Sequence, residues 1–153
     1  MPSKWLAALV VVPLLAAAAY QPVKEYDPGR DGAKDVRNAV AEAARTHRRV
    51  LLDVGGNWCS WCRLLDKFFA DHPDLTTLVD KNYVMVKVHY GPDNFNEEAL
   101  GKFPHAEGYP HIYVLDARGE LLRSQGTDAF EEGHGYSAER WKAFLEKWAP
   151  PIQ

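Results

Sequence analysis

The chain is poor in sulfur and in net charge. It has two cysteines and two methionines in 153 residues, and its formal charge is −3. Two cysteines exclude a multi-disulfide scaffold and leave one bridge, one redox couple or half a metal site. The small acidic excess supplies no basic face to neutralise phosphates, so no nucleic-acid partner is expected. Past the first twenty residues there is no long apolar run. With 46% hydrophobic and 25% charged residues, global disorder and a polytopic membrane fold are both excluded. There is no internal repeat or low-complexity tract, and the length suits one compact domain.

The N-terminus carries a compartment signal. Lys4 precedes an uncharged apolar run from Trp5 to Ala19 that closes on Ala16–Ala19. A short positive region, an apolar stretch and small residues at its exit mark a secretory signal. A spanning helix wants about 20 apolar residues, and Pro13 interrupts this run. We therefore expect a signal peptide at 1–19, a linker at 20–33 and a folded domain at 34–150, with an uncleaved membrane anchor as the competing reading. No cysteine lies near the cut, so lipidation has no attachment point. Localisation is expected to be periplasmic or secreted.

The rest reads as alternating helices and strands. Gln21–Gly32 is rich in Pro and Gly and reads as a tether or an entry loop. From Asp35, a plausible N-cap, Val36, Ala39, Val40, Ala43 and Ala44 share a helical face. Arg45, His47, Arg48 and Arg49 stand where a helix C-terminus favours positive charge. Val50–Val54 reads as a buried strand, broken by Gly55-Gly56-Asn57. A second helix carries Trp61, Leu64, Leu65, Phe68 and Phe69 to a stop at His72-Pro73. Further expected elements are a short helix at Asp74–Lys81, a strand at Tyr83–His89 and a short helix at Asn96–Phe103. Two strands, His111–Asp116 and Glu120–Gln125, flank Ala117-Arg118-Gly119 as a hairpin, and a last helix starts at Ser137. This order predicts an α/β sandwich with a mixed central sheet, a C-terminal antiparallel hairpin and helices on both faces.

The chemistry lies in Trp58-Cys59-Ser60-Trp61-Cys62. This run follows a strand and glycine turn and opens an amphipathic helix, where free backbone N–H groups and the macrodipole favour a thiolate on Cys59. Thiols so placed have pKa values of roughly 3.5 to 7.5. The i, i+3 spacing sets Cys62 one turn later on the same side, in reach of a mixed disulfide formed on Cys59. A purely structural bridge would close a tiny loop and gain little chain entropy. Zinc lacks a second paired motif among His47, His72, His89, His105, His111 and His134, and haem attachment needs a histidine where Arg63 stands. No cofactor is expected. Asp53, six residues before Cys59, sits in the apolar strand. Buried, its raised pKa would suit a base for Cys62, with Lys87 as counter-charge; at the strand's end it would simply be solvated. Periodicity alone leaves both open.

These residues resemble the thioredoxin superfamily. The resemblance rests on Val50-Leu51-Leu52-Asp53, on Asn57 through Arg63, on Tyr109-Pro110 and on the hairpin beyond, and covers about residues 34–149. The nearest flavour is that of exported thioredoxin-like proteins and the C-terminal domain of the periplasmic disulfide reductase, which Phe69-Ala70-Asp71-His72-Pro73-Asp74 also resembles. It implies a three-layer thioredoxin-like sandwich. It also implies a nucleophilic Cys59, a resolving Cys62, a buried acid/base Asp53 with Lys87 near it, and a cis Pro110 against the disulfide. Tyr109 would pair its backbone with substrate, and Trp58, Trp61 and Tyr109 would rim a docking groove, Trp61 being exposed. Ser60-Trp61 departs from the Gly-Pro of thioredoxin at a position that controls redox potential. Gly55-Gly56 would open the approach to Cys59, and the longer, polar stretch Tyr90–Gly108 would select partners or be an idle solvated insertion.

The expected function is an exported thiol–disulfide oxidoreductase that reduces protein disulfides and is recharged by a membrane-embedded electron donor. The rival is a non-catalytic binding module stiffened by a fixed Cys59–Cys62 bridge. A thiol peroxidase is a third reading without a peroxide-site signature.

Overall fold

The computed structural model describes residues 19–152. All but Ala19 of the expected signal peptide lies outside the described residues. Among the described residues, no helix is long and apolar enough to cross a membrane.

The elements run α1 (Gly32–Thr46), β1 (Arg49–Gly55), α2 (Ser60–Asp71), α3 (Pro73–Asn82), β2 (Tyr83–His89), α4 (Glu97–Leu100), β3 (His111–Leu115) and β4 (Leu121–Gly126). A 3₁₀ turn (Thr127–Phe130), the two-residue strands β5 (Glu131–Glu132) and β6 (Gly135–Tyr136), and α5 (Ala138–Lys147) complete the chain. The main sheet has the order β2-β1-β3-β4. Its β1–β2 pair is parallel, and its β1–β3 and β3–β4 pairs are antiparallel. Helices cover both faces. This is the mixed α/β sandwich with a terminal hairpin that the element order predicts.

Strand alternation sorts the core. Val50, Leu52 and Val54 of β1 and Val84, Val86 and Val88 of β2 face the layer holding α1 and α4, against Val36, Ala39 and Ala43. Leu51, Tyr83, Ile112 and Val114 face the opposite layer, with Leu65, Leu75, Trp141 and Leu145 of α2, α3 and α5. Asp53 and Lys87 belong by the same parity to the α2 side, and the parallel register sets them opposite one another. A two-residue periodicity thus places both charges beneath the cysteine helix.

Several boundaries differ from expectation. The N-cap of α1 is Asp31, whose side chain accepts from the Lys34 amide. Asp35 is instead buried in the first turn, its carboxylate clamped by the Arg30 guanidinium through two bonds of 2.6 Å. Pro73 begins α3 as well as ending α2, since a proline in the first turn forfeits no helical hydrogen bond. In the basic cluster, Arg48 donates to the carbonyls of Asp80 in the last turn of α3 and Tyr83 just after it, and Arg49 donates to the Trp148 carbonyl after α5. They thus serve the ends of other helices. The Gln21–Gly32 segment packs as an entry loop and is not a free tether: Val23 bridges Val86 of β2, and Val23 and Tyr26 are both buried.

Gly55 is glycine for lack of space. A Cβ there would collide with the Cys62 sulfur and stand 3.2 Å from the Tyr26 hydroxyl, while one at Gly56 would collide with the Trp58 indole. The glycine pair therefore makes room for Cys62 and Trp58. Gly55→Ala is expected to cost about 1–3 kcal/mol through overpacking. Gly108→Ala, where a Cβ meets nothing within 4 Å, should cost far less. Urea unfolding of both oxidised variants checks the contrast.

Candidate active site

Cys59 and Cys62 are joined by a disulfide with Cα atoms 5.2 Å apart. Cys59 is the N-cap of α2, in extended conformation, and its sulfur accepts the Cys62 amide at 3.1 Å. That amide is one of the donors a helix leaves unpaired in its first turn, so the bond stabilises negative charge on sulfur. Cys59 retains 6% exposure and Cys62 none. Of the two, Cys59 is the one with any exposed surface.

The Tyr109–Pro110 peptide is cis, and the Tyr109 carbonyl lies 3.5 Å from the Cys59 sulfur. Pro110 is buried, and its carbonyl accepts from the buried Thr127 hydroxyl at 2.9 Å. The Tyr109 ring stacks on Tyr90 at 4.9 Å and meets the Trp58 edge at 5.8 Å. Trp58 is 54% exposed, with its indole N–H donated to the Tyr90 carbonyl at 2.8 Å. Trp61, expected to be exposed, is half-buried because its ring packs on Tyr136 at 5.4 Å. Trp61 and Tyr109 both pack against the buried cluster of Tyr26, Cys59 and Cys62. The stretch Tyr90–Gly108 is more than a solvated insertion: Ala99, Phe103 and Ala106 are buried. Tyr90, Phe95, Leu100 and Phe103 line a cavity of about 420 Å³ that reaches Tyr109.

Behind Cys62 lies a buried charge cluster. Asp53 is 1% exposed and accepts the Tyr26 hydroxyl at 2.7 Å. The Lys87 ammonium is 3.8 Å from the other carboxylate oxygen and 4.4 Å above the Tyr26 ring. It is also ion-paired to Asp66, whose side chain is half-exposed. Burial dominates Asp53 and raises its pKa to about 6, with Lys87 and the Tyr26 hydrogen bond pulling the other way. Burial, and next the charge and hydrogen bond of Asp53, push Tyr26 well above the ordinary phenol value. Asp53 is therefore not a solvated strand end.

Four contributors escaped the sequence reading. Asp66 sits one turn beyond Cys62 on the same face of α2, a helical offset that was legible. Tyr26 lies in a stretch without periodicity, and Thr127 and Tyr136 lie beyond the last expected strand. Their roles depend on how the chain returns. Among the described residues, no group of three or more His, Cys, Asp or Glu converges to hold a metal ion.

A thioredoxin-like family model matches residues 32–117. The chain belongs to the thioredoxin-like family. One solved thioredoxin-like relative, described as the disulphide isomerase from Xylella fastidiosa Temecula1, is 30% identical. That match covers 80% of this chain and 94% of the other, with a TM-score of 0.66. The oxidised C-terminal domain of Neisseria meningitidis DsbD is 16% identical, with coverage of 81% and 97% and a TM-score of 0.57. A protein described as the DsbH oxidoreductase is 21% identical, with coverage of 94% and 91% and a TM-score of 0.52. These last two are likenesses of fold. No curated protein matches the chain at a significant level.

The raised Asp53 pKa has a signed consequence for stability. A carboxyl that titrates at 3.8 when free and about 6 when folded favours the folded state in its protonated form. That contribution is complete below pH 3.8 and is lost as pH rises through 6. Asp53→Asn removes the titration, so the variant should gain on the parent between pH 4 and 6, by up to about 3 kcal/mol at pH 8. Urea unfolding of the oxidised proteins at pH 3.5 and 8 reads this directly; an equal difference at both would contradict it.

Proposed function

We propose that this protein is an exported thiol–disulfide oxidoreductase that reduces protein disulfides through the Cys59/Cys62 couple. The observation that carries this reading is the asymmetry of the pair. Cys59 sits at a helix start with an amide on its sulfur, and Cys62 is fully buried, its sulfur bordering the same point beside Gly55 as the Tyr26 hydroxyl that donates to the buried Asp53. The relationship to a solved disulphide isomerase at 30% identity supports the same class.

In the dithiol form, the Cys59 thiolate attacks a substrate disulfide. One substrate sulfur leaves as thiolate and the other stays bonded to Cys59. Cys62 then attacks the Cys59 sulfur, forming the Cys59–Cys62 bond and breaking the bond to substrate, which departs as its second thiolate. The Cys62 proton passes to Asp53. The protein dithiol is oxidised and the substrate disulfide reduced, two electrons in all. Lys87 keeps the Asp53 carboxylate tolerable in the interior, and a base of this kind favours the reducing direction. Trp58, Trp61, Tyr109 and Pro110 form the docking rim, with the Tyr109 backbone facing an extended substrate segment. Recharging needs a dithiol donor, and for an exported protein that donor is membrane-embedded. Export itself rests on the Lys4 and Trp5–Ala19 pattern.

The rival reading is a docking module with a fixed bridge, and mutation separates the two. Cys59→Ser should abolish reduction of insulin disulfides. Cys62→Ser should accumulate mixed disulfides with partner proteins, visible on non-reducing gels and released by dithiothreitol. A parent protein that leaves insulin intact, together with a Cys62→Ser variant that captures nothing, would select the fixed bridge.

A further inference from the structure

The residue that contacts Asp53 most closely lies outside the stretch matched by the family model, which begins at residue 32. Tyr26 is 3% exposed and belongs to the buried cluster that holds Cys59 and Cys62. Two bonds fix it and a third holds the chain three residues upstream. Its hydroxyl donates to Asp53 at 2.7 Å, its carbonyl accepts the Asn57 side-chain amide at 3.1 Å, and upstream the Lys87 amide donates to the Val23 carbonyl at 3.1 Å. Asn57 lies two residues before Cys59, so the loop that presents the disulfide also holds Tyr26. The point a Gly55 Cβ would occupy is bounded by both the Cys62 sulfur and the Tyr26 hydroxyl.

We propose that Tyr26 is a positioning residue for the proton step, its hydroxyl holding the Asp53 carboxylate ionised and aimed at the Cys62 thiol. This rests on the thiol–disulfide reading above. The charged and titratable groups around Asp53 are few. Tyr26 comes from the N-terminal segment, Lys87 from β2, Asp66 from α2 and Tyr136 from β6, and the Cys62 sulfur of α2 borders the Tyr26 hydroxyl across Gly55. The β3 neighbour in register is the apolar Ile112. Lys87 is shared with Asp66, which takes the shorter contact. The phenol is thus the only short hydrogen bond the structure gives to the Asp53 carboxylate among the described residues. A phenol is well matched to this role, because its raised pKa keeps its own proton in place and it donates without competing for the proton from Cys62.

Tyr26→Phe keeps the ring beside the cysteines and beneath Lys87 and removes only the donor. Asp53 should then titrate about one pH unit or more higher, since hydrogen bonds to buried charges are among the stronger ones. Two readouts are needed. One is infrared titration of the Asp53 carboxyl, assigned against Asp53→Asn. The other is the pH dependence of substrate release from a preformed Cys59 mixed disulfide. An upward move of both the carboxyl titration and the acid limb of the release rate supports the proposal. An unmoved carboxyl titration overturns it whatever the activity, because that measurement does not depend on turnover. A carboxyl that moves while the acid limb stays overturns the link from Tyr26 to the proton step. Failure of the underlying reading looks different: Asp53→Asn would retain the parent's acid limb, or the mixed disulfide would never resolve.

Discussion

The site depends on keeping a carboxylate inside the sheet. Asp53 occupies a β1 position between Leu52 and Val54, under a helix whose first turn carries the disulfide. An unpaired charge there would cost several kcal/mol. The protein offsets this with three side chains from three parts of the chain: Tyr26 by hydrogen bond, Lys87 by charge and Asp66 by holding Lys87. The compensation is incomplete, and the carboxyl remains with a pKa raised to about 6. Incomplete compensation is what makes the group able to exchange a proton near neutrality.

The same economy of space governs the sulfur side. Gly55 leaves room for Cys62 to press against the end of β1, and the Cys62 amide turns outward to the Cys59 sulfur. The helix start thus serves one cysteine with a backbone donor while the strand end shelters the other. The outer wall is built from chain far away in sequence. Tyr109 and Pro110 precede β3, Thr127 braces Pro110 from the 3₁₀ turn, and Tyr136 of β6 supports Trp61. The wall and the disulfide meet only because β1 and β3 are neighbours in the sheet.

Much of this was readable from residue order. Helix and strand limits fell close to expectation where apolar spacing was strong, as in Tyr83–His89, which matched in full. The limits drifted where capping decided them: the cap is Asp31, which accepts the Lys34 amide, while the expected cap Asp35 is bound to Arg30. The opposition of Asp53 and Lys87 follows from alternation and register. The half-burial of Trp61 does not, because its cover, Tyr136, is 75 residues away.

By itself, the sequence determined the local chemistry: two cysteines three residues apart at a helix start, and a carboxylate six residues upstream in an apolar strand. These are short-range consequences of backbone geometry. Only the tertiary structure decided which groups close around them. Tyr26, Asp66, Thr127 and Tyr136 reach the site through packing between distant segments, and no periodicity in a single stretch of chain encodes a contact whose other half lies elsewhere.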